Sequence, residues 1–264
     1  MAYALITGAS GGIGWAMARE LASRKHDILL LARSGEQLQK NAEELRRVFN
    51  VNADFLAIDL SAPDVALNVR DWLSQKNYSI DILINNAGYA VWGKMQNLTR
   101  EEINAMMRLN MFTLSDMCKV LLPMLQNNKR AYIMNVSSTS AYQAVGTLAN
   151  YAATKAFVLV FTRGLRKELK GTNVSATCLS PGPTSTGFVD RANMGAIKEK
   201  AEKFSVEPES VAKAGINGML ADKAEIVPGV LNYVGAKMAE ILPKGLIEKI
   251  AMDLYIVKDK GPKT

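Results

Sequence analysis

Histidine and cysteine are almost missing from this chain: His26, Cys118 and Cys178 are the complete set in 264 residues. His26 precedes Asp27 between two predicted elements, which leaves a Ser-His-Asp triad or a multi-histidine metal site nothing to be built from. No metal is expected. Two lone thiols, each in an apolar stretch, do not make a disulfide framework and fit a reducing, cytoplasmic location. No apolar run reaches the about 18 residues of a membrane span. The N-terminal "MAYALITGAS" enters a strand at once, without the charged and apolar regions of a secretory signal. Long basic runs are lacking as well. The net charge of +7 is dispersed along the chain, which reads as a solvated surface and not as a nucleic-acid footprint. A modest positive field does suit an anionic cofactor.

What is present is a core: 48% of the residues are hydrophobic and 22% charged, enough for one α/β domain over 1–264. Short β-rich runs predict strands at 3–7, 27–32, 53–59, 81–86, 131–137 and 173–180, with a weaker seventh at 224–229. Helical patterns lie between them, at 12–24, 35–49, 63–75, 100–127, 150–170 and 207–221. The strong runs are nearly continuous apolar segments, as in parallel strands covered on both faces. Alternation of this kind predicts a doubly wound, Rossmann-like parallel sheet of about seven strands. Ligands of such sheets bind beyond the carboxyl ends of the strands, where strand order reverses.

The first such end carries "TGASGGIG", Thr7 to Gly14. Glycine permits a tight turn and a close backbone approach, and the helix that follows offers unpaired N–H groups to a pyrophosphate. The remaining strand ends carry Asp59 and Leu60, then "NNAG" (85–88), then Ser138, then "SPGPTST" (180–186). Asn110 sits in the long fourth helical pattern, and Tyr151 and Lys155 open the next. With the glycine spacing T-G-x-x-x-G-x-G, this ordered set over residues 3 to about 190 resembles the short-chain dehydrogenase/reductase family, in its NADPH-preferring reductase branch.

The resemblance implies NADPH/NADP+ as cofactor. It places the cofactor on Gly8, Ser10, Gly12, Ile13 and Gly14, on Arg33, on Asp59 and Leu60 at the adenine, on Asn86, Ala87 and Gly88, on Tyr151 and Lys155, and on Pro181, Gly182, Thr184 and Thr186. It implies Tyr151 as general acid in reduction, Lys155 as the charge that lowers its pKa and binds the ribose, Ser138 as a donor to the substrate oxygen, and Asn110 as the holder of a water leading to solvent. It also implies a homodimer or homotetramer built on the helices of Asn110 and Tyr151. Taken singly, each residue has a plain alternative. Ser138 lies in a Ser/Thr cluster that caps turns, and Asn110 is a poor helix former.

Two expectations rest on the residues themselves. Strand two ends in Ala32 and Arg33, with no carboxylate to accept the ribose hydroxyls of NAD. An arginine there can instead make a charge-assisted contact to a 2′-phosphate. Bringing a tyrosine from a pKa of about 10 to about 7 takes roughly 4 kcal/mol. One ammonium about 4 Å away at an effective dielectric near 20 supplies roughly that, and i,i+4 spacing puts Tyr151 and Lys155 on one helix face.

The predicted reaction is reduction of a small or medium, partly apolar aldehyde or ketone. An NAD(H)-linked alcohol or hydroxysteroid-type dehydrogenase and a catalytically silent nucleotide sensor are the rivals. Residues 187–221, with Phe188, Met194 and Ile197, are expected to cover the substrate, and Tyr89, Trp92 and Tyr142 to line its pocket or to be core. "TREE" (99–102) predicts a capping box, and Met106, Met107, Met111 and Met117 are expected in the core or at a subunit face. The segment 230–257 has apolar residues at helical spacing, interrupted at Pro243 and Gly245, with lysines beside them. Docking on its own domain is favoured over contact with a membrane surface.

Overall fold

A computed structural model describes residues 2–186 and 205–255, the side chains after Lys249 excepted. Seven parallel strands form one sheet in the order β3-β2-β1-β4-β5-β6-β7. They are β1 (Tyr3–Thr7), β2 (Asp27–Ala32), β3 (Ala53–Ala57), β4 (Ile80–Asn85), β5 (Ala131–Val136), β6 (Val174–Leu179) and β7 (Glu225–Ile226). The chain builds outward from β1 to β3, crosses back, and builds outward again from β4. The order therefore reverses between β1 and β4.

Every residue of β2 and of β6 is buried. Alternate side chains serve opposite faces, as the two-residue period of a strand requires. Ala4, Ile6, Ile28 and Leu30 meet α1 (Gly12–Ser23), α2 (Gly35–Phe49) and α7 (Pro208–Leu220) through Met17, Leu21, Leu38, Leu45, Val211, Ile216 and Met219. Leu5, Leu29, Leu31 and Leu83 meet α3 (Val65–Gln75) and α5 (Leu114–Gln126) through Val69, Leu73, Met117, Leu121 and Leu125. On that second face lies α6 (Ala149–Glu168), which contributes Phe161 and Leu165.

The expected elements are present within a residue or two, with four differences. β3 stops at Ala57, which releases Ile58, Asp59 and Leu60 into a loop. β7 is two residues long. The helix expected over 100–127 is three pieces: α4 (Arg100–Met107), a π-helical stretch Arg108–Thr113, and α5. Its start is the capping box, with the Thr99 hydroxyl accepting from the Glu102 N–H and the Glu102 carboxylate accepting from the Thr99 N–H. Met106 and Met117 are core, and Met107 and Met111 half-buried. The tail is α8 (Val230–Ile241) and α9 (Lys244–Tyr255). They part at Leu242, held extended by the Pro243 ring, while Gly245 lies inside α9 and breaks nothing.

The fourth difference concerns the expected covering segment 187–221. Its C-terminal part is α7, whose Val211, Ala212, Ile216 and Met219 are buried against α1 and the sheet. Those residues are a layer of the core. Phe188, Met194 and Ile197 lie outside the described residues.

Two glycines show what the packing does and does not require. A Cβ on Gly14 would stand 2.5 Å from the Gly8 carbonyl oxygen and 2.5 Å from Asn86 Nδ2, whereas one on Gly164, exposed in the middle of α6, would meet nothing within 4 Å. Gly14→Ala is expected to destabilise by about 3 kcal/mol. Gly164→Ala should stabilise by roughly 0.5–1 kcal/mol through helix propensity. Urea unfolding midpoints of the two variants check both signs.

Candidate active site

The loops after β1 and β4 are fastened to each other. The Thr7 hydroxyl accepts from the N–H groups of Asn86 (2.9 Å) and Ala87 (3.0 Å), and it donates to the Ile84 carbonyl at 3.3 Å. Asn86 Nδ2 returns the contact, donating to the carbonyls of Thr7 (2.9 Å) and Gly8 (3.3 Å). Gly8 turns with φ +68°, and a Cβ there would lie 2.9 Å from the Ala87 Cα. From α2, Asn41 Nδ2 donates to the Ala9 carbonyl at 3.1 Å. Helix α1 then begins at Gly12, behind Gly11, with no side-chain cap and no acidic residue in its first turn. Its first N–H groups are left to whatever lies in the cleft. These are the features of an anion cradle: a backbone that admits no Cβ, and uncompensated donors at a helix start.

The cleft runs along the carboxyl edge of the sheet and has a volume of about 1460 Å³, room for a dinucleotide and a small substrate together. Ser10, Gly12 and Ile13 line its middle. Gly14 does not: it is buried beneath the loop against Gly8 and Asn86, so its part is packing and not contact. At one end lie Ala32, Arg33 and Ser34 with Ile58, Asp59, Leu60 and Ser61. The Ser61 N–H and hydroxyl, at 2.9 and 2.7 Å, hold the Asp59 carboxyl below its usual range, with a smaller contribution from the Arg33 charge. Arg33 is exposed, and Ser34 caps α2 without a side-chain bond to it.

At the other end, α6 brings Tyr151 and Lys155 side by side, both buried, the Lys155 ammonium 5.8 Å from the Tyr151 ring centre. Lys155 Nζ donates to the Val136 carbonyl at 2.9 Å, and the Ser137 hydroxyl donates to the Lys155 carbonyl at 2.7 Å. Burial holds the Lys155 pKa down at about 8. Ser138 faces the cleft, and its hydroxyl accepts from the Ser140 N–H at 3.2 Å, capping the turn Thr139–Tyr142. The capping alternative for Ser138 is therefore real, and it leaves the hydroxyl proton for another acceptor.

Asn110 is in the π-helical stretch and does not line the cleft. Its amide donates to the Tyr89 carbonyl (3.0 Å) and Thr154 Oγ1 (3.1 Å) and accepts from the Tyr89 N–H (3.2 Å). The side chain is thus committed to positioning α6 and the loop after β4. Between these groups lies Gly88, where a Cβ would come within 2.9 Å of Asn110 Oδ1 and 3.3 Å of Lys155 Nζ.

Pro181, Gly182, Thr184 and Thr186 line the wall opposite. Of the three expected aromatics, Tyr89 alone lines the cleft. Tyr142 is core: its hydroxyl donates to Glu225 Oε1 at 2.6 Å, and its ring packs with Leu159, Cys178, Ala236 and Ala239. Trp92 packs beside Met106 and Val145. Leu109, Ala105 and Leu148 supply the apolar part of the lining.

The residues that work from behind were not legible as part of the site: Asn41, Ser137, Thr154, and Asn135 and Thr162, which extend the Asn85 of "NNAG" into a buried ladder, Asn85 donating to Asn135 (2.9 Å) and Asn135 to Thr162 (3.0 Å). Asparagines inside otherwise apolar strands were the available signal. Among the described residues no cluster of His, Cys, Asp and Glu suits a metal ion.

The chain is similar to known proteins over most of its length. Residues 2–196 match the family model described as short chain dehydrogenase. The chain is 32% identical over 246 residues to hydroxysteroid dehydrogenase-like protein 1 of Gallus gallus, covering 92% of this chain and 72% of that protein. It is 28% identical over 242 residues to the 3-oxoacyl-acyl-carrier-protein reductase of Chlamydia trachomatis, covering 89% and 96%. A short-chain dehydrogenase of Sphingobium yanoikuyae, solved in complex with NADPH, superposes with a TM-score of 0.80 at 28% identity over 92% of this chain and 96% of that one.

The buried lysine has a measurable consequence. Its folded pKa, about 8, lies below the ordinary 10.5. Between these values the unfolded chain binds more protons, so stability rises with pH through that window and carries the full cost below it. Lys155→Met is expected to raise the unfolding free energy at pH 7 by about 2–3 kcal/mol, with the gain shrinking toward pH 10. Parallel urea titrations at the two pH values test this. A variant no more stable than the parent at pH 7 would contradict a costly buried ammonium.

Proposed function

The chain belongs to the short chain dehydrogenase family, and on that premise we propose that it reduces the carbonyl of a small, partly apolar aldehyde or ketone, using NADPH, with Tyr151 as the proton donor. The observation that carries this reading is the meeting of Tyr151, Lys155 and Ser138 at one end of a cleft whose other end holds Arg33, with no carboxylate at the carboxyl end of β2. As an oxidoreductase of this family the protein works with a nicotinamide cofactor, which supplies the hydride when bound. The preference for NADPH is supported by the charge at Arg33, the exposed Ser34 beside it and the uncapped start of α2. A phosphate gains charge-assisted bonds from such a group, whereas a ribose hydroxyl pair would lack its acidic partner.

In this reading Gly8, Ser10, Gly12 and Ile13 with the first turn of α1 take the pyrophosphate, and Asp59 and Leu60 flank the adenine. Ala87 and Gly88 pass beneath the cofactor, and Pro181, Gly182, Thr184 and Thr186 wall in its reactive end. Asn86 and Gly14 shape this cradle from below. The substrate oxygen lies between the Ser138 hydroxyl and the Tyr151 phenol. As negative charge develops on that oxygen, Ser138 donates to it and Tyr151 transfers its proton. The Lys155 ammonium stabilises the phenolate left behind. Burial alone disfavours that ammonium, and the adjacent phenolate restores it. The two groups therefore share one positive charge whose worth is greatest in the transition state. A water returning protons to Lys155 would be held by the backbone at Asn110, since the amide is already committed.

We further infer self-association through the helices that carry these groups. Phe112 (64% exposed) and Val160 (70% exposed) leave large apolar side chains uncovered there, and Phe157, on α6 with Val160, is exposed as well. Replacing Phe112 and Val160 together by glutamate is expected to reduce the particle mass in light scattering to that of one chain, and unchanged mass would exclude this face.

Tyr151→Phe should lower kcat about 10³-fold, and full turnover in that variant would refute the proton-transfer role. Arg33→Ala should raise the KM for NADPH at least about tenfold while moving that for NADH about twofold or less. Both are read by following NADPH and NADH consumption against a panel of aldehydes, ketones and diketones. Equal effects of Arg33→Ala on the two cofactors would overturn the NADPH assignment.

A further inference from the structure

Ser138 has an extended backbone and opens the turn Thr139–Tyr142. The near end of that turn is fastened to the sheet and the loop after it. The Ser137 N–H donates to the Leu179 carbonyl at 2.7 Å, and the Thr139 N–H to the Pro181 carbonyl at 2.9 Å. The direction of the Ser138 hydroxyl is set inside the turn. Its oxygen accepts from the Ser140 N–H at 3.2 Å, which uses one lone pair and leaves the hydroxyl proton to point elsewhere. A shift of the Ser140 N–H therefore shifts the Ser138 hydroxyl. The turn does not hold itself in this shape for its own benefit: the Ser140 hydroxyl is buried and has no hydrogen-bond partner among the described residues. Such a group is a cost that a free turn would relieve by reorienting.

The far end of the turn is fastened by a side chain. The Tyr142 hydroxyl donates to Glu225 Oε1 at 2.6 Å, the short length of a bond to an ionised acceptor. Glu225 belongs to β7, which pairs with β6 through Cys178, so the sheet carries the carboxylate. Its side chain is 17% exposed. The other Glu225 oxygen lies 3.4 Å from Arg163 of α6, but that guanidinium is 59% exposed, and an ion pair in water contributes little. The bond from Tyr142 is the stronger of the two. Packing asks only for the ring of Tyr142, which lies with Leu159, Cys178, Ala236 and Ala239. A phenol and a carboxylate taken from water together give no more stability than apolar groups of the same shape would. What the pair adds is a fixed geometry.

We propose that Tyr142 and Glu225 are positioning residues for the reaction: their bond locks the turn Thr139–Tyr142 and so aims the Ser138 hydroxyl at the substrate oxygen. The inference rests on the donor role of Ser138 proposed above. Tyr142 and Glu225 do not line the cleft, and they act through the Ser140 N–H alone. Aim matters most as charge develops on the substrate oxygen, when Ser138 donates to it. Loss of aim therefore lowers kcat and leaves ground-state binding in place.

The test uses the full chain, NADPH and whichever carbonyl of the panel is turned over fastest. Tyr142→Phe keeps the ring and removes the bond. It should lower kcat about tenfold while the KM for NADPH and for the carbonyl stay within about twofold. Glu225→Leu breaks the same bond from the other side and should give the same loss, with the double variant no slower than the slower single one. Arg163→Ala should leave kcat within about twofold. The deciding measurement repeats Tyr142→Phe and Glu225→Leu in a Ser138→Ala background. With no hydroxyl left to aim, each should change the remaining kcat by less than about twofold. A general loosening of the fold would slow both backgrounds alike, and that result overturns the proposal. So does wild-type kcat in Tyr142→Phe when Ser138→Ala is slow, which leaves the role of Ser138 standing. Full turnover in Ser138→Ala would instead remove the donor role of Ser138 and this inference with it.

Discussion

The close approach of two backbone turns, after β1 and after β4, is the constraint on which the site depends. Where strand order reverses, neighbouring strands send their connections to opposite faces of the sheet, and a crevice opens between them. Here Thr7 and Asn86 tie the two sides of that crevice together. Each satisfies backbone groups of the other's loop, and the fit leaves no room for a Cβ at Gly8 or Gly14. The tightness turns the start of α1 toward the cleft with its donors unspent. The same feature that holds the loops together therefore makes the anion cradle.

A second set of polar groups is paid for by the core on the other side of the crevice. Lys155 is buried and donates to the Val136 carbonyl. Around it, Ser137, Thr154 and Asn110 bind backbone and one another at about hydrogen-bond distance, so the ammonium is held in place by groups that carry no charge. The π-helical stretch at Arg108–Thr113 belongs to this arrangement, since π turns widen a helix locally and Asn110 reaches both Tyr89 and Thr154 from within it. An isolated ammonium in such a place is a stability cost. In the proposed reaction it becomes useful when the neighbouring phenol takes up negative charge.

Much of this was legible in order along the chain. The centres of the runs "YALIT" and "DILLLA", Ala4–Ile6 and Ile28–Ala32, are apolar without a break because both sheet faces are covered, and the strands ended within a residue of where their composition placed them. Thr99 and Glu102 announced the start of α4 through local chemistry alone. What failed to read correctly depended on contacts between distant segments. Tyr142 was a pocket candidate by position, but Glu225, eighty-three residues away in sequence, draws its hydroxyl into the core. Residues 208–220 were grouped with the covering segment, but their apolar face belongs to α1. Gly14 shares a motif with the glycines that line the cleft and lies behind them instead.

The sequence by itself determined the alternation of strands and helices, the absence of a carboxylate at the end of β2, and the spacing that puts Tyr151 and Lys155 on one face of α6. Each is a local property, set by residue type and by the periods of helix and strand. Tertiary structure decided which of the motif residues reach the cleft, which brace it from behind, and how far the Lys155 charge is disfavoured. Burial and hydrogen-bond partnership are properties of segments brought together from across the chain, and no local pattern encodes them.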